Sequence, residues 1–348
     1  MDGYFIRVQK HTRSRFWINN VTVREANLAI EAGAVGCTQN PSYAWKMLTA
    51  EDGKAHAEQL LRRILTETPD ASEAIVRLQK ELVSEIAAIF HPLYEQSSGT
   101  RGYVSIQGDP FREDYESFMR FARYNKQAGA NIMIKIPVTQ EGLKAVGQCI
   151  REGFPVNATE VMSVQQAMDL CDVYDEAVKG MANPPKVYLS HIAGIFDEYL
   201  AGYAAKHEVD IPSDYLYQAG KIVAKKIRSL MDARATAVGF INGGARGLHH
   251  FTEWVGADIS TTINWKGTAE DLVLQNPPVV NRFDNPIDEA VLDTLIAKLP
   301  DFASAYFLGG LHPEHYAEFG PVELFCSSFQ KAWRNAIAFV PGTKATGA

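Results

Sequence analysis

Asn131-Ile132-Met133-Ile134-Lys135-Ile136-Pro137 sets a single lysine inside an apolar, β-branched run. Short runs of this kind between turn signals read as a strand buried on both faces, as in a parallel sheet covered by helices. Burying an ammonium costs several kcal/mol unless something compensates, and the usual response is a fall in lysine pKa. A lysine that is neutral near neutral pH is a nucleophile able to form a Schiff base with a carbonyl. A structural lysine paired with a buried carboxylate is the other reading of the same residues.

Outward from this stretch, similar apolar runs recur at residues 15–19, 34–40, 102–109, 154–159, 186–192, 236–242 and 258–263. With 131–137 they make eight expected strands. Each is followed by a helical stretch, the pattern of a parallel (β/α)8 TIM barrel in the α/β class. After the fifth, Ser163 and Gln166 form a capping box ahead of the helical stripe Val164, Ala167, Met168, Cys171, Tyr174 and Val178. After the lysine strand, Leu143, Val146 and Ile150 point inward. A helical insertion is expected at about 43–100, between the second and third strands, with an amphipathic helix over 72–89. A helical extension is expected at about 285–348, with 286–299 and 322–339 as its clearest elements and 308–319 as a candidate cover for the barrel mouth. No Pro-rich or low-complexity linker interrupts the chain, so residues 1–348 read as one decorated barrel domain.

Composition narrows the function. The 348 residues carry a formal net charge of −7, which argues against a general nucleic-acid or anionic-membrane binder. Cys37, Cys149, Cys171 and Cys326 lie far apart without a CxxC spacing, suggesting reduced, packed thiols. Residues 1–10 are mixed and polar rather than a secretory leader, and no apolar run approaches a membrane span. The expectation is a soluble, cytoplasmic protein.

Side chains two apart on a strand share a face, and barrel chemistry sits at the C-terminal strand ends. That parity brings together Trp17 and Asn19, Thr38 and Asn40, then Ser105, Gln107 and Asp109. Lys135 follows, with Asn157 and Thr159, and Tyr188 and Ser190. Capping of strand ends accounts for two or three such groups. Amides and hydroxyls from six strands around a buried lysine point instead to a polyhydroxylated, carbonyl-bearing ligand. The glycine-rich run 239–247 reads as a tight turn or as a cradle of backbone N–H groups for an anion. His312-Pro313-Glu314-His315 reads as a helix start rather than a metal site. Lys144, Lys186 and Lys266 fall on a helix face, at a strand start and in a loop, so none competes with Lys135 as a buried amine.

On these residues the chain resembles the transaldolase family. The landmarks are Gly36-Cys37-Thr38-Gln39-Asn40-Pro41-Ser42, Ile134-Lys135-Ile136-Pro137 with Glu141-Gly142, Asn157-Ala158-Thr159, Ser190 before Gly194, and Arg246 twelve positions before Asp258. The likeness runs over about residues 15–339. It implies a lysine Schiff-base mechanism without metal or other cofactor. Lys135 attacks a ketose (phosphate), and a dihydroxyacetone unit passes to an aldehyde acceptor in carbohydrate metabolism. It further implies that Thr159 and Gln107, with Ser190, hold a proton-shuttling water. Thr38, Asn40 and Asn157 would bind substrate hydroxyls, and Arg246 a phosphate. The partner is then a small sugar or sugar phosphate, and a homo-oligomer stays open.

Three departures bear on the chemistry. Asn19 and Asn20 stand where the family usually has an aspartate, and an amide cannot act as a general base. Gln107 replaces the glutamate of transaldolases proper and matches the glutamine of fructose-6-phosphate aldolases. Ile195 occupies the place of a second phosphate-binding arginine, with His191 and His249-His250 as nearby candidates to stand in for it. An aldolase-like lyase acting on a different, unphosphorylated sugar is therefore one alternative. A non-catalytic sugar-binding homologue is the other.

Overall fold

In the computed structural model, which describes residues 2–340, eight short strands pair in chain order and close on themselves. They are β1 (Arg15–Asn19), β2 (Gly36–Thr38), β3 (Tyr103–Gln107), β4 (Ile132–Pro137), β5 (Val156–Val161), β6 (Val187–His191), β7 (Gly239–Asn242) and β8 (Ser260–Ile263). Every neighbour is parallel, and β8 returns to β1 through Arg15 opposite Ser260 and Ile18 opposite Ile263. The expected (β/α)8 barrel is thus present. Its strands begin one to three residues later than the apolar runs suggest at every strand except β1, and β2, β3 and β6 also end one or two residues earlier. β5 instead runs on to Val161 because a bulge between Ala158 and Val161 inserts extra backbone against β6.

Local signals account for the helices. Thr22 with Glu25, and Ser163 with Gln166, form reciprocal capping boxes, and Thr139 caps the helix Gln140–Arg151 that follows the lysine strand. Between β2 and β3 lie helices Tyr43–Thr49, Lys54–Glu67 and Ala71–Gln96. The amphipathic stretch extends to Gln96 through Pro92, longer at its C-terminal end than periodicity alone implies. Beyond β8 come Glu289–Lys298, Pro300–Tyr306 and Gly320–Ala338. An unanticipated helix, Tyr4–His11, packs Tyr4, Phe5 and Val8 onto the barrel, with Phe5 stacked 3.9 Å from Phe16. Among the described residues no helix is long and apolar enough to cross a membrane.

The barrel interior is divided by depth. Trp17, Val35, Tyr103, Met133 and Ile241 form a separate apolar plug at the N-terminal end, with Tyr188 against it. Trp17 and Tyr188 meet edge to face at 5.5 Å. Both rings lie flat against glycine: a Cβ at Gly36 would come within 2.5 Å of the indole, and one at Gly239 within 2.4 Å of the phenol ring. The inward parity of Trp17 and Tyr188 is therefore as expected, but they close the floor rather than line the mouth.

Candidate active site

Strand register sets Lys135 between its neighbours: Gln107 on β3 and Asn157 on β5 lie directly opposite it. Its side chain is 6% exposed, and among the described residues Nζ makes no hydrogen bond or ion pair. The Phe329 ring stands 5.7 Å from the amine. Burial pulls the lysine down to about 8, against an opposing pull from the carboxylate of Glu160. This is the environment that leaves an appreciable fraction of the amine free near neutrality.

Lys135 opens into a cavity of about 220 Å³ at the C-terminal strand ends. Asn19, Asn20, Thr38, Asn40, Ser42, Thr159, Ser190, Thr262, Asn264 and Arg246 contribute its polar wall, and Phe325, Ser328 and Phe329 close it from the helix Gly320–Ala338. Among the described residues no acidic side chain lines it, and Lys135 and Arg246 are its cations. The cover is this last helix and not residues 308–319, which are absent from the lining. That segment is instead anchored on the barrel flank, where Gly309 N donates to Gln165 Oε1 and Tyr316 Oη to Asp169 Oδ2.

Much of the wall is tied together. Thr38 Oγ1 contacts Asn19 Oδ1 at 2.9 Å and Thr262 Oγ1 at 2.8 Å, and Asn19 Nδ2 donates to Asn264 Oδ1 at 2.9 Å. Asn40 Oδ1 accepts from Asn20 Nδ2 and from Ser42 N, which orients the amide. Asn157 is fully buried and absent from the lining: it accepts from Ser190 Oγ and donates to Ser105 Oγ. Gln107 is likewise behind the wall, with Nε2 donating to Glu160 Oε1 at 3.2 Å. Of the residues singled out from sequence, the structure thus gathers Lys135, Thr159, Asn19, Thr38, Asn40, Ser190 and Arg246 on one surface. Gln107 and Asn157 support that surface from behind. Asp109 is turned away, accepting from Phe111 N and Ser72 Oγ.

Arg246 follows β7 in the glycine-rich run. Its Nε meets Glu198 Oε2 at 2.5 Å and its Nη1 donates to Gly244 O. The glycines permit a close approach, since a Cβ on Gly194 would lie 2.0 Å from Gly244 O. None of the three histidines takes the place of the missing arginine. His191 is buried with its ring nitrogens on Val161 O and Gly220 O, while Ile195 packs in the core. His250 accepts from Arg246 N through Nδ1 and meets Asp197 Oδ2 at 3.1 Å through Nε2, so it holds the Arg246 loop. His249 lies beside it, outside the cavity lining. Pro313–His315 is a single 3-10 turn begun by proline, the helix-start reading of that motif.

Sequence reasoning missed Glu160, Glu113 and the aromatic cover. Glu160 follows Thr159 and by strand alternation should face out; the bulge turns it inward with a left-handed φ of 62°. Phe325 and Phe329 come from a helix far along the chain, expected over 322–339 without any signal of what it covers.

A family model described as transaldolase/fructose-6-phosphate aldolase matches residues 16–283. Among curated proteins, a transaldolase of Acidothermus cellulolyticus is 31% identical over 172 residues, 47% of this chain and 45% of that protein. A transaldolase of Trichodesmium erythraeum is 38% identical over 119 residues, covering 32% and 31% of the two chains. One from Kocuria rhizophila is 29% identical over 148 residues, 42% and 39%. The chain therefore spans less than half the length of these relatives.

Proposed function

The chain belongs to the transaldolase/fructose-6-phosphate aldolase family, and from that premise we propose that it forms a Schiff base between Lys135 and a ketose and transfers a dihydroxyacetone unit to an aldehyde. The observation that carries this reading is the unpartnered, desolvated Lys135 amine facing a cavity walled by amides and hydroxyls. A free amine adds to the ketose carbonyl, water leaves, and the resulting iminium withdraws electrons from the C3–C4 bond. The hydroxyl on C4 gives its proton to a water held at Thr159, that bond breaks, an aldehyde departs, and a three-carbon enamine stays on the enzyme. Thr38, Asn40 and Ser190 are placed to bind hydroxyls, and Arg246, the second cation of the lining, to bind an anionic tail. Thr159 Oγ1 is buried without a partner, which suits a hydroxyl that orients a reacting water or substrate oxygen.

Whether the enamine is passed on or protonated and released is the second question. Gln107 favours the lyase outcome, because it matches the glutamine of fructose-6-phosphate aldolases rather than the glutamate of transaldolases proper. A purely sugar-binding role leaves the buried lysine without a purpose, since binding alone needs no desolvated amine. The deciding experiment is borohydride trapping with a panel of phosphorylated and plain ketoses, read by intact mass. The reading requires an adduct that maps to Lys135 and disappears in Lys135→Ala. Thermal stabilisation by sugar without an adduct would establish the binder instead. Gln107→Glu should raise transfer relative to cleavage, and an unchanged product ratio would reject a role for that position in the partition.

A further inference from the structure

Among the described residues Glu160 is the acidic side chain whose charge acts on Lys135, and its placement is costly. A glutamate in the left-handed region is strained and persists only where surrounding structure imposes it. Here Gln166, the capping residue of the next helix, donates through Nε2 to Glu160 O at 3.1 Å and to Val138 O at 2.8 Å. Its Oε1 accepts from Met162 N on the other side of the bulge. The clamp turns a carboxylate that alternation would point toward the surrounding helices into a fully buried one bonded to Gln107, the residue opposite Lys135 in the strand register. One oxygen accepts from Gln107 Nε2; among the described residues the other has no partner, and neither has Gln107 Oε1.

We propose that Glu160, held behind the cavity wall, is the acid–base partner of Lys135, accepting the ammonium proton before the amine attacks and returning a proton to the hydroxyl that leaves, in both directions through water in the cavity. This rests on the Schiff-base reading above. In the first step Lys135-NH3+ and Glu160 carboxylate become a free amine and a neutral acid. The amine then forms a C–N bond to the ketone carbon, its surplus proton passing to the former carbonyl oxygen. In the last step the C–O bond breaks and the oxygen leaves as water with the proton of Glu160, so that an iminium faces a regenerated carboxylate. Asn19 and Gln107, both amides, can do neither transfer. Glu160 thereby supplies the acid–base function that neither of them can.

The charges around it support the exchange. Burial raises Glu160 to about 7, against the lowering effects of Lys135 and the Gln107 hydrogen bond. From the loop after β3, Glu113 is pushed up to about 9 by burial and by the charges of Glu160 and Asp109, so it stands neutral beside Glu160. From the covering helix, the Cys326 thiol is pushed up by burial and by Glu113, Glu160 and Glu323, and stays protonated 3.9 Å from Glu113 Oε2. Lys135 is then the group with which Glu160 can trade a proton at neutral pH.

The test separates this inference from the one beneath it. Competitive trace acetylation, read by peptide mass spectrometry across pH, reports the titration of Lys135 with no sugar present. In Glu160→Gln the Lys135 midpoint should fall by about one pH unit as the carboxylate that favours the ammonium is lost, while the exposed Lys144 is unmoved. With dihydroxyacetone and borohydride, the rate of adduct formation should fall about 100-fold in Glu160→Gln. Glu160→Asp, which keeps the acid, should recover part of that rate, and thermal unfolding confirms that each variant is folded. An unchanged Lys135 midpoint together with an adduct rate within about twofold of the parent overturns the proposal. A parent protein that forms no adduct at all refutes the Schiff-base reading and with it the proton return, whereas the acetylation shift still decides whether Glu160 and Lys135 share a proton.

Discussion

Ser190 Oγ donates to Asn157 Oδ1 at 2.6 Å while Asn157 Nδ2 reaches Ser105 Oγ at 3.4 Å, so one buried amide joins β3, β5 and β6 behind the cavity wall. Asn157→Ala leaves both hydroxyls without this partner. Unfolding in urea should show a loss of about 1–3 kcal/mol, the cost of unpaired buried polar groups. Ser190, released from its partner, should also bind substrate less well, seen as a raised KM.

Lys135→Met should change the pH dependence of stability in a defined direction. In the fold the lysine titrates near 8, below its ordinary 10.5. Between those values the unfolded chain binds more protons, so the native protein gains stability as pH rises through that window. The methionine variant lacks this gain. Its advantage over the parent should therefore be greatest below pH 8 and shrink toward pH 10.5, as measured by urea unfolding at several pH values.

Glu113→Gln should have the opposite slope. The carboxyl is raised from 4.5 to about 9, so between those values the folded protein binds more protons and the parent loses stability as pH rises. The amide does not titrate. Melting temperatures of parent and variant should converge near pH 4.5 and separate by pH 8, with the variant higher; a pH-independent difference would contradict the neutral state of Glu113.

Arg246→Ala should weaken phosphorylated substrates by roughly 10–100-fold, the value of a hydrogen bond to a charged group, and leave plain sugars nearly unchanged. Glu198 holds the guanidinium through Nε. Glu198→Ala should therefore loosen the arginine and raise KM for the same phosphorylated substrates by a smaller factor. Equal effects on charged and uncharged sugars would show that Arg246 does not read the anion.

The legible part of the site was the part that obeys strand parity. Asn19, Thr38, Lys135, Thr159 and Ser190 reach one cavity because they sit near the C-terminal ends of parallel strands and point inward by alternation. Depth was less legible. Trp17 and Tyr188 share that parity, yet they pack at the far end, where Gly36 and Gly239 leave room for their rings. Gln107 and Asn157 also point inward, but hydrogen bonds to Glu160 and Ser190 hold them out of the lining.

From the residue order alone came the eight β/α units, the lysine strand and most of the polar wall, because hydrophobic period, capping residues and strand alternation act over neighbours in the chain. Only the tertiary structure decided that Glu160 turns inward and that a helix near residue 330 closes the mouth. Both depend on contacts between segments distant in sequence, where a bulge reverses side-chain parity and an ordinary amphipathic helix acquires a cavity to cover.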